Sequence, residues 1–208
     1  MVQSFTAESF SESDMALASH ISLDRMVNAV EKVRQRLLRA TAALRTAGIE
    51  YAVAGGNAVA AWVSTVDEEA VRNTADVDLL IRRPDFPSAK MALESAGFYY
   101  RHLAGLDVFL DTPTSPARGG VHIIFSNEKV KPEETVANPD VSQSSDAPLF
   151  RVLQLEALVQ IKLTAFRDKD RTHLRDLIEV GLIDHAWPAR YSPELAARLQ
   201  SLLDSPGG

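Results

Sequence analysis

Two adjacent glycines, Gly55 and Gly56, interrupt the apolar run VAGGNAVAAWV at residues 53–63. Glycine lacks a Cβ atom and allows a tight turn, so the pair predicts a buried strand before it and a short helix after it. Asn57 is predicted to cap that helix. Because the first N–H groups of a helix have no partner within the helix, this turn is predicted to offer an anion-binding site.

A pair of aspartates follows in the stretch TADVDLLI, residues 74–81. In a strand, residues two apart face the same side, so Asp76 and Asp78 are predicted to project together while Val77 and Leu79 point into the core. Neighbouring like charges are tolerated where solvent or a cation neutralises them. Paired carboxylates suit Mg²⁺, which commonly completes its coordination shell with substrate phosphates. Two solvated aspartates near a strand end are the alternative interpretation.

Hydrophobic periodicity and turn residues divide the chain into four predicted parts. The first amphipathic helix is predicted to begin after Ser22 and to end before Gly48. The parts are a mobile N-terminal tail (1–20), an α/β core with a mixed sheet (21–126), a connector loop (127–148) and a C-terminal helical subdomain (149–204).

Strands and later helices are predicted from alternation, apolar runs and Gly or Pro punctuation. The predicted strands are 49–55, 76–81, 98–102, 106–111 and 121–125. The helices predicted after the glycine pair are 57–63, 85–95, 155–166, 171–180 and one that begins at 192.

Composition limits the classes of protein that this chain can represent. Apolar residues make up 46% of the 208 residues, which is enough for a sizeable core, and the net charge of −6 argues against general nucleic-acid binding. A local basic cleft is compatible with that charge. Cysteine is absent, and no apolar run reaches the length of a membrane span. We therefore expect a cytoplasmic protein with no membrane partner.

The order of these elements resembles the nucleotidyltransferase superfamily related to DNA polymerase beta. In that family a Gly-Gly or Gly-Ser turn opens the helix beside the triphosphate, and an Asp-x-Asp on the next strand holds the metal ions. Gly55, Gly56, Asp76 and Asp78 match those positions. The resemblance implies a polymerase-beta-like fold, an NTP substrate, and Mg²⁺ or Mn²⁺ held by the two aspartates.

The form Arg-x-Thr-x-Asp-x-Asp, from Arg72 to Asp78, is most similar to the bacterial branch that contains the abortive-infection type IV toxins. The later segment LVQIKLTAFRDKDRTHLRDL, residues 158–177, resembles that branch's lysine helix and its charged continuation. Together these matches predict the nucleotide-binding residues Gly55, Gly56, Asn57, Arg72, Thr74, Lys162 and Lys169.

Ordinary structural roles compete with several of these assignments. Lys162 interrupts an apolar series, and it could simply be a lysine at the edge of a core helix whose ammonium extends to solvent. Four basic residues of the segment 167–176 could bind phosphate or an acceptor, namely Arg167, Lys169, Arg171 and Arg175, but the same segment could form helix-surface ion pairs. His173 could pair with Asp170 or Asp176, and it is interpreted as a structural histidine with a satisfied hydrogen bond.

A third carboxylate, which active members of the superfamily generally carry on a neighbouring strand, is not evident. The polar residue at the centre of the strand GVHIIF is His122. Imidazole is a poor Mg²⁺ ligand, since hard cations prefer oxygen. Three alternatives remain open: His122 acts as a general base, Asp107 or Asp111 fills the place, or the site binds nucleotide without turning it over.

The predicted function is the transfer of a nucleoside monophosphate from an NTP to an unknown acceptor, with Asp76, Asp78 and His122 as catalytic residues. The acceptor could be a protein, an RNA or a small molecule. One alternative is a catalytically silent nucleotide-binding or toxin–antitoxin interaction module. A second is a sugar transferase whose Asp-x-Asp holds Mn²⁺, although that class calls for a larger sheet before the motif.

Overall fold

The computed structural model describes residues 22–205, which form a mixed α/β fold around one sheet of seven strands. The predicted tail at 1–20 lies outside the described residues. The strands are β1 (Tyr51–Ala54), β2 (Val77–Ile81), β3 (Tyr99–Leu103), β4 (Leu106–Leu110), β5 (Val121–Phe125), β6 (Ser144–Asp146) and β7 (Arg151–Leu153). The α-helices are α1 (Leu23–Thr46), α2 (Gly55–Val63), α3 (Phe86–Ser95), α4 (Leu155–Ala165), α5 (Asp168–Glu179) and α6 (Pro193–Asp204).

The sheet is mixed, as predicted. Its strand order is β3-β4-β5-β2-β1-β7-β6. The pairs β2–β5 and β1–β7 are parallel, and the four other pairs are antiparallel. Strands β5, β2 and β1 are adjacent in the middle of this order. Residues at the ends of these strands therefore lie close to residues at the ends of the neighbouring strands.

The core forms where helices cover these central strands. Val77 and Leu79 of β2 are fully buried, which confirms that they point inward while Asp78 remains partly accessible. Helix α1 contributes the buried residues Leu37 and Leu44. The strand that carries Asp78 is therefore part of the hydrophobic core, which fixes its position.

Strands β6 and β7 were not predicted from the sequence. Each has three residues, which is too short to show an alternating pattern. Val152 of β7 nevertheless pairs with Val53 of β1, and Trp62 Nε1 of α2 donates a hydrogen bond of 2.9 Å to the carbonyl of Leu153. The chain therefore returns to the sheet before it enters the C-terminal helices.

Helices α4 and α5 are joined by a very short turn. Phe166 ends α4 in the left-handed conformation, with φ of +45°, and Arg167 occupies the N-cap position of α5. This turn folds α5 back so that Asp170 lies beside Lys162 of α4.

No helix within residues 22–205 is long and apolar enough to cross a membrane.

Candidate functional site

Three side chains that could hold a metal ion meet at the N-terminal ends of β2 and β5. Asp78 pairs with His122 in the parallel register and with Ala54, the last residue of β1, in the antiparallel register. Asp76 lies one residue before β2. One ligand atom from each of Asp76, Asp78 and His122 lies within 4.8 Å of the other two. The predicted carboxylate pair therefore belongs to a three-residue cluster, called the DDH cluster below.

The two glycines fit closely against the strand that carries the aspartates. Gly55 has φ of +61°, and a Cβ atom there would lie 1.7 Å from Oδ2 of Asp78. A Cβ on Gly56 would lie 2.9 Å from Cβ of Thr74. Side chains of the aspartate motif therefore occupy the space beside both glycines.

Asn57 does not cap helix α2, and that prediction is wrong. The helix begins at Gly55, Ala54 occupies the N-cap position, and Asn57 lies inside the first turn. Its Nδ2 donates a hydrogen bond of 2.7 Å to the carbonyl oxygen of Asp76. Asn57 therefore ties the helix to the backbone of the aspartate motif, which helps to position the carboxylates.

Asp76 is held by a hydroxyl and an ammonium group. Thr74 Oγ1 donates a hydrogen bond to Oδ1, and Lys169 Nζ lies 3.2 Å from Oδ1 and 3.1 Å from Oδ2. Burial acts to raise the pKa of Asp76, but the Thr74 hydrogen bond and the Lys169 charge outweigh it and lower the pKa below its usual value. Asp76 is therefore an anion at neutral pH.

His122 has its two ring nitrogens in different surroundings. Nε2 lies 2.8 Å from the carbonyl oxygen of Ala117, and Nδ1 lies 3.4 Å from Oδ1 of Asp78. The interaction with Asp78 raises the pKa of His122; burial opposes it, and the Ala117 carbonyl adds to it. The imidazole is thereby fixed with Nδ1 facing the carboxylates.

Lys162 lies beside the site, but its ammonium is engaged in a buried ion pair. Its Nζ donates to Oδ1 of Asp170 at 3.1 Å, and both residues are almost completely buried. Arg167 Nε donates to the other oxygen of Asp170 at 2.8 Å. Burial acts to raise the pKa of Asp170, while Arg167 and Lys162 outweigh it and lower the pKa. A nucleotide-binding role for Lys162 remains a prediction.

His173 is buried one helical turn after Lys169 on α5. Within the described residues its Nδ1 has no hydrogen-bond partner. Burial lowers the pKa of His173 to about 4, with further lowering by the charges of Lys162 and Lys169. His173 is thus neutral at neutral pH, and its Nδ1 lacks the carboxylate partner that the structural interpretation expected from Asp170 or Asp176.

A cavity of about 280 Å³ opens beside the DDH cluster. Its polar wall includes Lys162, Lys169 and Arg167, and its apolar wall includes Ile124 and Ile161. The segment predicted as a connector closes one side with Val130, Lys131, Glu134 and Asn138. The sequence suggested a phosphate-binding role for Arg167 only as the weaker alternative to a surface ion pair, and it did not assign these connector residues to the site. The charged run EKVKPEE at 128–134 was the sequence feature that could have indicated a role for the connector in the site.

Arg72 lies apart from that cavity. Its Nε donates a hydrogen bond of 2.8 Å to Oδ1 of Asp176, a buried residue of α5. Arg72 also lines a separate cavity together with Asn57 and Thr74. The structure thus shows Arg72 linking the aspartate motif to a C-terminal helix, and its role in nucleotide binding remains a prediction.

Neither proposed substitute for the third carboxylate lies in the DDH cluster. Asp107 pairs with Ile123, one residue beyond His122, so it projects from the opposite face of the sheet. It accepts hydrogen bonds from Tyr100 Oη at 2.7 Å and interacts with His102 Nδ1 at 2.9 Å.

Asp111 binds helix α1 instead. Its carboxylate accepts hydrogen bonds from Arg36 Nε at 2.8 Å and from Arg39. His122 is therefore the third potential ligand in the part of the chain that the structure describes.

No protein-family model matches the sequence, and no curated protein matches it. Solved structures do match the fold. The solution structure of the antibiotic-resistance factor ANT(2'')-Ia is similar with a TM-score of 0.53 and 13% identity, over 85% of this chain and 93% of that one. The crystal structure of an antigenic nucleotidyltransferase-like protein from Paracoccidioides brasiliensis is similar with a TM-score of 0.58 and 18% identity, over 86% and 91% of the two chains. The predicted nucleotidyltransferase-like α/β fold is thus confirmed.

Proposed function

We propose that the protein is a metal-dependent nucleotidyltransferase that moves a nucleoside monophosphate from an NTP to an acceptor. The observation that carries this proposal is the DDH cluster, which lies beside the N-terminus of α2 on a nucleotidyltransferase-like fold. In such a transfer, an acceptor oxygen forms a bond to the α-phosphorus. The bond from that phosphorus to the leaving pyrophosphate breaks, and the acceptor proton passes to a base.

The donor set of the cluster fits a divalent cation. Two carboxylates and one imidazole provide oxygen and nitrogen ligands, and their separations of up to 4.8 Å allow one ion to reach all three. Asp76, Asp78 and His122 would hold Mg²⁺ or Mn²⁺, and a bound cation would neutralise charge on the phosphates.

The chain supplies positioning and positive charge around this cluster. Asn57 and Thr74 hold Asp76 in place, and Asp78 lies against Gly55. The Lys169 side chain is half exposed, so its ammonium can turn from Asp76 toward an incoming phosphate. The N–H groups of Gly55 and Gly56 begin helix α2, where the helix dipole favours an anion.

A catalytically silent nucleotide-binding module is the second candidate. The observation that favours it is the presence of His122, not Asp or Glu, at the third position, together with Lys169 seated on Asp76. The Arg72-to-Asp78 motif and the segment 158–177 support a relationship to the abortive-infection type IV toxins for either candidate.

The test combines isothermal titration of NTP with a pyrophosphate-release assay in Mg²⁺ or Mn²⁺. The double variant Asp76→Asn/Asp78→Asn is expected to lose metal-dependent NTP binding by at least about 100-fold while it retains the wild-type circular dichroism spectrum. Asp107→Asn is the matched control, because it removes a carboxylate from the opposite face of the same sheet.

Unchanged metal-dependent NTP affinity in the double variant would refute the assignment of this site. Binding without pyrophosphate release, tested across several acceptor classes, would favour the silent module.

A further inference from the structure

The orientation of the His122 ring identifies which nitrogen can hold a cation. A backbone carbonyl can only accept a hydrogen bond, so the 2.8 Å contact between Nε2 and the Ala117 oxygen requires a proton on Nε2. In the neutral ring the lone pair is then on Nδ1. Metal-bound histidines commonly donate their second N–H to a carbonyl in this way, which fixes both the tautomer and the ring plane.

The distances around Nδ1 agree with shared coordination. Nδ1 lies 3.4 Å from Oδ1 of Asp78. Two neighbouring ligands of one ion with bonds of about 2.1 Å lie roughly 3 Å apart in octahedral geometry. The two atoms thus need to move by only a few tenths of an ångström to bind the same cation.

The parallel pairing of β2 and β5 gives this arrangement a rigid origin. Asp78 and His122 are direct partners in the register, and the residues on either side of them, Val77 with Val121 and Leu79 with Ile123, are buried or nearly so. The spacing of the carboxylate and the imidazole is therefore set by the sheet. A ring that is held in this way has little freedom to leave the cation's coordination shell.

We propose that His122 is a direct metal ligand through Nδ1, and that it makes the site select Mn²⁺ or another nitrogen-accepting divalent cation over Mg²⁺. This inference rests on the proposed function, because it concerns the metal of the same site. The reason is chemical: Mg²⁺ favours an all-oxygen shell, whereas Mn²⁺, Co²⁺ and Zn²⁺ accept imidazole nitrogen more readily. The preference for Mn²⁺ over Mg²⁺ is thus set by His122, in the strand that pairs with β2.

The test uses electron spin-echo spectroscopy of the protein with Mn²⁺, which detects nitrogen bound to the ion independently of any activity. Wild-type protein is expected to show ¹⁴N coupling from one imidazole, and His122→Asp is expected to lose it. His102→Gln is the matched control, because His102 lies on β3 beside Asp107 and away from the cluster. Its ¹⁴N signal should equal that of the wild type.

Titrations of Mn²⁺ and Mg²⁺, each with and without ATP, give a second readout. The ratio of the Mn²⁺ to the Mg²⁺ association constant is expected to fall at least about tenfold in His122→Asp, since an oxygen replaces the nitrogen ligand. The more conservative His122→Gln should also lose the ¹⁴N signal, so the test does not depend on one variant folding.

The outcomes separate this inference from the proposed function. Mn²⁺ binding that depends on Asp76 and Asp78 but shows no ¹⁴N coupling would overturn the role of His122 and leave the function standing. If Mn²⁺ binding does not depend on Asp76 and Asp78, either with or without ATP, the role of His122 and the proposed function are both overturned.

Discussion

The ammonium of Lys169 lies within hydrogen-bonding distance of both carboxylate oxygens of Asp76, at 3.1 and 3.2 Å. Helix α5 thus places a positive charge where a cation held by Asp76 would also lie. In the proposed function, the lysine and a metal ion would therefore compete for one carboxylate, and a bound phosphate would offer the ammonium another partner.

The first prediction follows from this competition. In Lys169→Ala, metal affinity without nucleotide should rise about tenfold, because the competing charge is gone, while NTP affinity should fall by a similar factor. Titration of Mn²⁺ and of NTP measures the two changes. Lys90→Ala, which removes the same charge from α3, is the control. A parallel fall in both affinities would mean that Lys169 only supports the site.

The second prediction concerns the space beside Gly56. Gly56→Ala should destabilise the protein by about 1–3 kcal/mol, because its Cβ would overlap the side chain of Thr74. The cost should be smaller in a Thr74→Gly background, and urea denaturation of the wild type, the two single variants and the double variant measures the coupling. Gly119→Ala is a suitable control, since the nearest atom to its Cβ is 3.9 Å away. Additive effects at 56 and 74 would contradict the contact.

The third prediction separates two roles for Lys162. Lys162→Met should destabilise the protein by about 3 kcal/mol, since Asp170 would lose one of its two cationic partners in a buried position. The double variant Lys162→Met/Asp170→Leu should recover much of that loss. Urea denaturation measures both, and the exposed Lys32→Met should change stability by about 0.5 kcal/mol or less. A stable Lys162→Met variant with weakened NTP affinity would favour a direct role in nucleotide binding.

The fourth prediction is a pH dependence of stability that arises at His173. Its pKa is about 4 in the folded protein, against 6.5 for ordinary histidine, so between these values the unfolded chain binds more protons. Stability from this residue is therefore present above pH 6.5 and is lost as the pH falls toward 4. The loss from pH 7 to pH 5 should be about 2 kcal/mol.

Urea denaturation of wild type and His173→Gln at pH 7 and pH 5 isolates this contribution, because the facing groups Lys162, Lys169, Asp170 and Asp76 are the same in both proteins. An identical pH dependence in the two proteins would exclude His173 as the cause.

Much of the fold was predictable because its signals are local. The glycine pair, the Asp-x-Asp strand and the end of α1 before Gly48 each follow from residues close in sequence. Strands β6 and β7 were not, because each three-residue strand is specified by its pairing, β7 with β1 and β6 with β7, and carries no periodic pattern.

The candidate site shows the same division. The proximity of Asp76 and Asp78 was predicted from their spacing of two residues at the start of β2, and the sequence indicated His122 as the polar residue on the neighbouring strand. The position of Lys169 on Asp76 depends on how α5 packs, over a separation of 93 residues. The exclusion of Asp107 required the register of β4 against β5, because a shift of one residue would have turned its side chain to the other face.

The return of the chain to the sheet at β7 couples the C-terminal half, residues 149–204, to the strands that carry the aspartates, because β7 pairs with β1. Strand β1 has β2 on one side and β7 on the other, so loss of the C-terminal half would expose an unpaired edge beside the aspartates. Any ion that binds the folded cluster draws the whole chain toward the native state through mass action. Slower amide exchange in α4 to α6 after addition of Mn²⁺ would thus report on cation binding at the DDH cluster.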